Sequence, residues 1–597
     1  MQRWLLFLCM AGPGLSALPH ATAPAPASCL LLLPLWYHQT VQPVISAAQM
    51  REIDRLTTAE FDTPSLLLME AAAAASLQVL TEKFSNDLAS KKARILCGPG
   101  NNGGDGAALA RGLAHLGVQV DLILFGKLNE TNRDARTNFE IVRRLASFEA
   151  GSTATPAPIS FIECTALSEW EELAQPRKTY DIIVDALFGT GLTRPLAGIF
   201  LQVVEHLEMI RGARARSGAL RPFVLSLDIP SGLNADLAYP IGAAVHADLT
   251  VTFTAPKPAN VLPPASHLGG RLRVANIGSP VSLVEAARPD LFLTEANDAR
   301  AWLVKTRYSS DSYKNTHGHA LIIAGSRGYT GAAALCANAA MRSGAGLVTV
   351  GSPASAQPAV AAVVMPEVMT TALAETDRGA VSDEAIEHVR SLATKANVLA
   401  IGPGLSTSDE RTRNFVRAVV AERVTPVVID ADGLNCLAPW PQTITGSREY
   451  PLVLTPHQGE MLRLLGTDNK AALLDRVAAA REFARAHQLI LVLKGSRSIV
   501  AAPDGRVFVN QTGNAGLGTA GAGDTLTGII TGFLAQAYGM LRHDADALSA
   551  TLAALYIGGM AGDLAAAELG MRTMLASDIQ RHLSAAIRTL DPDGERP

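Results

Sequence analysis

Three aspartates in this chain stand where a carboxylate can do chemistry, each beside a glycine-rich turn. Asp185 lies in "DIIVDALFGTG", Asp228 in "LSLDIPSG", and Asp524 follows the glycines of "NAGLGTAGAGDTLTG", while "GPGNNGGDG" at 98–106 adds a loop of glycines with two asparagines and Asp105. A carboxylate so placed can give or take a proton, and the bare amides around it can hold an anion.

Gly98-Pro99-Gly100-Asn101-Asn102-Gly103 matches G-x-G-x-x-G and falls between an apolar run and a helical pattern, as a dinucleotide site requires. The rest of that site is missing, because the next strand ends "LILFGK" and Asp121 sits near its beginning. A tightly held redox cofactor is not expected. Two readings remain, a cradle of backbone N–H groups for an anion or a tight turn with Asp105 as a helix N-cap. The neighbours favour the first, since Asp185 and Asp228 also end strands and three polar loops on one rim make a site. At Asp524, Gly521 and Gly523 lead into a helix whose amides and dipole face whatever docks there. That suits phosphoryl transfer, with Asp524 taking a proton from an attacking hydroxyl while amides stabilise the moving phosphoryl group.

Alternating strands and helices must position these loops. Helical patterns at "AAQMREIDRLTT" and "SLLLMEAAAAASLQVLTEKF" precede the strands "ARILC", "VQVDLILF", "DIIVDALF", "PFVLSLDI" and "DLTVTFTA". A second series, "HALIIAG", "GLVTVG", "NVLAIG", "PVVIDA", "PLVLTP" and "LILVLKG", ends in a hairpin turning at Pro503-Asp504-Gly505. This predicts mostly parallel sheets covered on both faces, with ligands beyond the carboxyl ends of the strands. The expected fold class is α/β in two domains, 44–285 and 296–590, joined through 281–298. At 597 residues the chain is too long for one core.

A net charge of −4 excludes a general attraction to nucleic acid or acidic membranes, and "RGARARSGALR" at 211–221 reads as a solvated loop. Six cysteines without a C-x-x-C pair argue against a zinc site and a disulfide framework, and for a reducing, cytoplasmic setting. Residues 1–43 read either as a leader, which would direct the chain to mitochondria or elsewhere, or as a start-site extension; neither of their apolar runs reaches the ~20 residues of a membrane span. The expected assembly is a homo-oligomer without nucleic-acid or membrane partners.

"GPGNNGGDG", "VDALFGTG" and "LDIPSG", in this order, resemble the epimerase domain of NAD(P)H-hydrate repair enzymes. The second half resembles their ADP- or ATP-dependent dehydratase domain, so the likeness covers 44–590. It implies an N-terminal Rossmann-like three-layer sandwich and a C-terminal ribokinase-like domain. It implies that Asn101, Asn102, Gly103, Gly104 and Asp105, with Gly189, Thr190, Gly191, Leu192, Thr193, Arg194 and Pro195, hold hydrated NADH or NADPH. Asp228 is then the acid/base that interconverts the two epimers. Potassium is implied among Asn102, Asp185 and Ser231, whose oxygens suit a hard cation.

In the second half Ala332 of "GSRGYTGAAAL", Gly404 of "IGPGL", His457 of "TPHQGE" and Asp524 are the implied substrate contacts. Lys494, Gly495, Ser496, Arg497, Ser498 and Gly523 are the implied nucleotide contacts, with Mg²⁺ accompanying ADP or ATP. Three positions depart from the family pattern. Ala71 replaces an asparagine in the early helix, Ala515 replaces a proline in Asn-Pro-Gly, and Ala520 replaces a glycine in Thr-Gly-Gly. The rival reading is a ribokinase-like small-alcohol kinase fused to a Rossmann-like binding domain without catalysis.

Overall fold

The computed structural model describes residues 41–150, 158–175, 179–217 and 221–594; residues 1–40 of the expected leader and part of the arginine-rich run lie outside them. The expected alternation takes the form of two sheets. Seven parallel strands make the first, in the spatial order Ile159–Cys164, Gln119–Phe125, Lys92–Cys97, Ile182–Ala186, Phe223–Leu227, Leu249–Phe253 and Arg271–Ala275. Its central strands are apolar on both faces because helices cover both, Asn101–His115 on one and Ile199–Ser217 on the other.

The second sheet has eleven strands, mostly parallel, with the expected hairpin Ile499–Ala501/Val507–Asn510 paired antiparallel. Helices Thr330–Arg342, Ala522–Gln536, Ala547–Leu569 and Ala576–Leu590 build the core on one face of this sheet. Ala547–Leu569 is long and apolar enough to cross a membrane, but 67% of its most apolar window is buried in this core.

Each sheet has a reversal of strand order in its interior. In the first the reversal falls between Lys92–Cys97 and Ile182–Ala186, and in the second between His319–Ile323 and Val398–Ile401. Crevices beyond such reversals are where α/β sheets take ligands. The loops that leave these strands begin at Gly98 and Leu187 in the first sheet, and at Ala324 and Gly402 in the second.

The boundaries differ from those expected at 44 and 296. Gln42–Val44 and Leu291–Thr294 both belong to the second sheet, where they pair antiparallel at its edge. Both are short and stand outside either series of alternating strands and helices, so nothing around "QPV" and "LFLT" marks them as strands. From that edge the chain turns into the first half, where the Ile45 amide donates to the Pro256 carbonyl at 2.9 Å. Ser46 and Gln49 then form a reciprocal cap for the helix Ala47–Glu60.

Candidate active sites

The helix Asn101–His115 starts inside the "GPGNNGGDG" loop with Gly100 as its N-cap, so Asp105 is an interior residue of the helix and not its cap. Its glycines answer to packing. A β-carbon on Gly103 would stand 1.9 Å from the Gly98 carbonyl oxygen, and one on Gly104 would stand 2.7 Å from the Met69 sulfur. The early helix Ser65–Phe84 thus supports the loop through Met69, whose sulfur also accepts from Asn138, without the asparagine that Ala71 replaces. At the helix head Asn101 is exposed and accepts from Asn132 at 3.1 Å. Asn102 is buried, and neither its amide oxygen nor its nitrogen has a partner among the described residues. Buried amides are almost always bonded, so this one marks a place for a ligand.

Asp185 is fully buried and holds the next loop in place. It accepts from the Ser226 hydroxyl at 2.8 Å, the Ser231 amide at 2.8 Å and the Ser231 hydroxyl at 2.6 Å. Burial raises its affinity for a proton, and these donors pull back in favour of the anion. Of the three expected potassium ligands, Asp185 and Ser231 are hydrogen-bonded to each other, and Asn102 is bonded to neither.

Asp228 ends its strand at φ 65°, a left-handed backbone that few side chains adopt and that recurs at functional sites. Its Oδ1 accepts from Lys257 Nζ at 2.7 Å and from Thr252 at 3.1 Å, and its carbonyl accepts from Asn260. Oδ2 points elsewhere: a β-carbon on Gly189 would stand 2.9 Å from it and 3.6 Å from the Asn102 amide oxygen. Gly189 therefore leaves open the gap between the carboxylate and the unpartnered amide. The rest of that turn, Thr190 to Pro195, runs out along the rim, with Leu192 alone buried.

Sequence reasoning missed Lys257, which is only 1% exposed. The sole signal was a lysine just past a strand, in "TFTAPKP". It also missed Asp54 and did not weigh Asp105 as an acid. Burial, then the nearby Asp228 and Asp54, push the Asp105 carboxyl well up. Burial also lifts Asp54 to about 6, eased by Lys257 and reinforced by Asp228, and its Oδ1 is buried without a partner.

In the second half Gly521 caps the helix Ala522–Gln536 at φ 81°, and a β-carbon there would strike Leu335 at 2.4 Å. Asp524 lies in the first turn beside Lys494, Asp430, Asp432 and Glu460. Burial first, then Asp430, lift its carboxyl to about 7, with Lys494 pulling it down. Lys494 Nζ donates to Asp430 at 2.7 Å, and Thr527 takes the other Asp430 oxygen at 2.7 Å. Gly523 faces this group, its absent β-carbon 3.5 Å from Lys494 Nζ. Asp430, at the end of "PVVIDA", was missed because its partner comes 64 residues later.

Ala332 and Gly404 meet across the crevice, 3.0 Å between their β-carbon positions. His457 caps the helix Gln458–Leu464, with Nδ1 accepting from the Gly459 amide at 3.0 Å, which fixes the proton on Nε2. The loop without its proline is tied down by Asn514, which donates to Asp563 at 2.9 Å and accepts from Gly516 at 2.9 Å.

Comparison with known proteins matches each half of the chain to a family. The family model for NAD(P)H-hydrate dehydratase matches residues 320–585, and that for the YjeF-related protein N-terminus matches 65–259. The bifunctional NAD(P)H-hydrate repair enzyme Nnr of Moorella thermoacetica is 38% identical over 92% of this chain and 98% of its own length. The chain belongs to the bifunctional NAD(P)H-hydrate repair enzymes. The repair enzyme of Thermofilum pendens is 34% identical over 92% of this chain and 97% of its own. Among solved structures, the ADP/ATP-dependent NAD(P)H-hydrate dehydratase of Bacillus subtilis is 31% identical and covers 50% of this chain and 98% of its own, with a TM-score of 0.42. A two-site repair enzyme needs two separate sites, and the two candidate sites lie on two separate sheets.

Proposed function

We propose that the N-terminal crevice interconverts the (R)- and (S)-epimers of hydrated NADH and NADPH, and that the C-terminal crevice dehydrates the (S)-epimer with ADP or ATP. The observation that carries the reading is the paired arrangement of carboxylates. Asp228 is held by Lys257 with one oxygen free toward Gly189, and Asp524 is lifted to about 7 at the head of a glycine-capped helix. In the first crevice Asp228 moves the proton that lets the hydroxyl leave and return on the other face, and Lys257 orients it. In the second, Asp524 takes the hydroxyl proton as the oxygen attacks the terminal phosphorus. The new O–P bond replaces the bond to the departing nucleotide. Loss of phosphate from carbon and of a ring proton then restores NAD(P)H. The direct test of the first half is chromatography of a single epimer incubated without nucleotide, which should yield the epimer mixture at an enzyme-dependent rate.

Potassium fits the first crevice: Asn102 offers a buried oxygen without a partner, and Asp185 and Ser231 add a carboxylate and a hydroxyl, the oxygen set of a hard cation. Bound there, it would supply fixed positive charge beside the substrate. Asn102→Ala is expected to make epimerisation insensitive to added potassium, because it removes an oxygen without a partner among the described residues. Asp185→Ala is a poorer probe, since it also strands the Ser226 and Ser231 donors. An unchanged potassium response in Asn102→Ala contradicts the assignment.

For Mg²⁺, the described residues contain no group of three or more His, Cys, Asp or Glu able to hold a metal. It is therefore expected to enter on the nucleotide's phosphates. The base assignment also fixes a pH dependence. Asp524 works deprotonated, so kcat/KM for dehydration should climb about tenfold per pH unit below about 7 and level off above it. A profile flat down to pH 5 removes Asp524 as the base.

A further inference from the structure

An acid stands on the buried face of the first helix of the N-terminal half. In Ala47–Glu60, Met50 and Thr57 are buried, and Asp54 lies between them on the same stripe, four residues after the one and three before the other. Met50 and Ile53 share a buried cluster with Ala255, two residues ahead of Lys257, and the bond from the Ile45 amide to Pro256 fastens the start of the helix to the same turn. Thr254 opens that turn at φ 64°, an outlier for a β-branched residue and a conformation that recurs at functional sites. The helix thus brings Asp54 to the turn that carries the partner of Asp228.

The charged groups that face Asp54 are Lys257, Asp228 and Asp105. The one cation among them is already paired with Asp228 at 2.7 Å. No hydrogen bond or ion pair joins the carboxyl group of Asp54 or of Asp105 to any described residue, and Oδ1 of Asp54 is fully buried. A desolvated carboxyl group without a counter-charge holds a proton, whereas an ammonium partner favours the anion. The site therefore sets Asp228, ion-paired to Lys257, beside Asp54, which burial lets keep its proton up to about pH 6. Two carboxyl groups in such unlike environments divide the work of base and acid. Asp105 is lifted much further and keeps its proton, which leaves it the part of a hydrogen-bond donor.

We infer that Asp54 is a second catalytic acid–base group of the epimerase, working on one face of the hydrated ring while Asp228 works on the other. This rests on the epimerase reading above. To invert the hydrated carbon, its C–O bond breaks with the electron pair going to oxygen, which takes the Asp54 proton and departs as water. The lone pair of the adjacent ring nitrogen forms a C=N bond in its place. Water then adds from the opposite face, the C=N pair returns to nitrogen, and the surplus proton of the entering water passes to Asp228. The pair ends with Asp54 ionised and Asp228 protonated, which is the state that runs the reverse reaction, and exchange with solvent resets it.

The test is chromatography of each pure epimer incubated with the full chain, without nucleotide, across a range of pH. In the unaltered chain kcat/KM for both epimers should fall about tenfold per pH unit above about 6, where the shared proton of the pair is lost. Asp54→Asn is expected to lower kcat about 10²-fold, with KM little changed and the alkaline limb gone from what remains. Asp54→Ala leaves room for a small acid, and added formate should restore part of its rate. Both variants remove a carboxyl group that has no ion pair beside Asp228 and Asp105, so they are expected to fold, and their melting temperatures verify this. A normal rate in Asp54→Asn overturns the inference. So does a slow Asp54→Asn that keeps the alkaline limb, or an Asp54→Ala that formate does not restore, since either makes Asp54 structural. If the unaltered chain interconverts neither epimer, the epimerase reading fails and the inference falls with it.

Discussion

Asp524→Asn is expected to lower the rate of NADH recovery by roughly 10²–10⁴-fold, the usual scale for losing a general base. The substitution keeps the size of the side chain and its place in the first turn of Ala522–Gln536, but removes the basicity that burial and Asp430 raise. Nucleotide affinity should change little, because the amides at the helix head and the Lys494–Asp430 pair remain. Removing a carboxylate from beside Asp430, Asp432 and Glu460 relieves repulsion, so the melting temperature should hold or rise. Stopped-flow absorbance and a nucleotide titration of the same variant separate the possibilities. Near-normal turnover would reduce Asp524 to a helix-terminal residue, and an equal loss of nucleotide binding would make it an organiser of the loop.

The second large effect is expected at Asp228. Asp228→Asn should abolish epimer interconversion and spare dehydration of the (S)-epimer, since the two carboxylates serve different sheets. The structure adds a complication that the sequence did not reveal. Lys257 is 1% exposed and, with the carboxylate turned into an amide, loses the counter-charge of its ion pair and keeps hydrogen bonds to neutral oxygens, the Thr252 hydroxyl and the Phe253 carbonyl among them. Breaking a buried pair from one side costs about 3–5 kcal/mol, so the variant should also melt earlier. Asp228→Asn with Lys257→Met removes both charges and should regain much of that stability while epimerisation stays lost. If the double variant recovered activity along with stability, Asp228 would be structural.

The parts of these sites legible in the sequence are those marked by local contrast. Asp228, Asp185 and Asp524 could be read because a strand end or a glycine run changes composition within a few residues. Lys257 and Asp430 could not, because each acquires its meaning from a partner brought up by the fold, 29 and 64 residues away in the chain. The strand pattern was legible where an unbroken apolar run ends at a turn, even in the three residues of Val427–Ile429 and Leu452–Leu454, and was lost where polar residues interrupt the strand, as in Ile159–Cys164 and Arg271–Ala275. It failed at Gln42–Val44 and Leu291–Thr294, whose pairing depends on each other and on the distant Val507–Asn510. The glycines of 98–106 were read as an anion cradle, yet Gly103 and Gly104 also answer to the close approach of Gly98 and Met69, which only the packed structure reveals.

The most direct measurement gives the full chain an equilibrated mixture of (R)- and (S)-hydrated NADH with ADP, and in parallel with ATP, and follows NADH absorbance while the epimers are resolved by chromatography. Two working crevices predict that NADH is recovered from the whole mixture, with the (R)-epimer disappearing as the (S)-epimer is consumed. In Asp228→Asn, recovery should stop at the (S) share. A stable phosphorylated product that accumulates without NADH would contradict the account and identify the C-terminal half as a kinase.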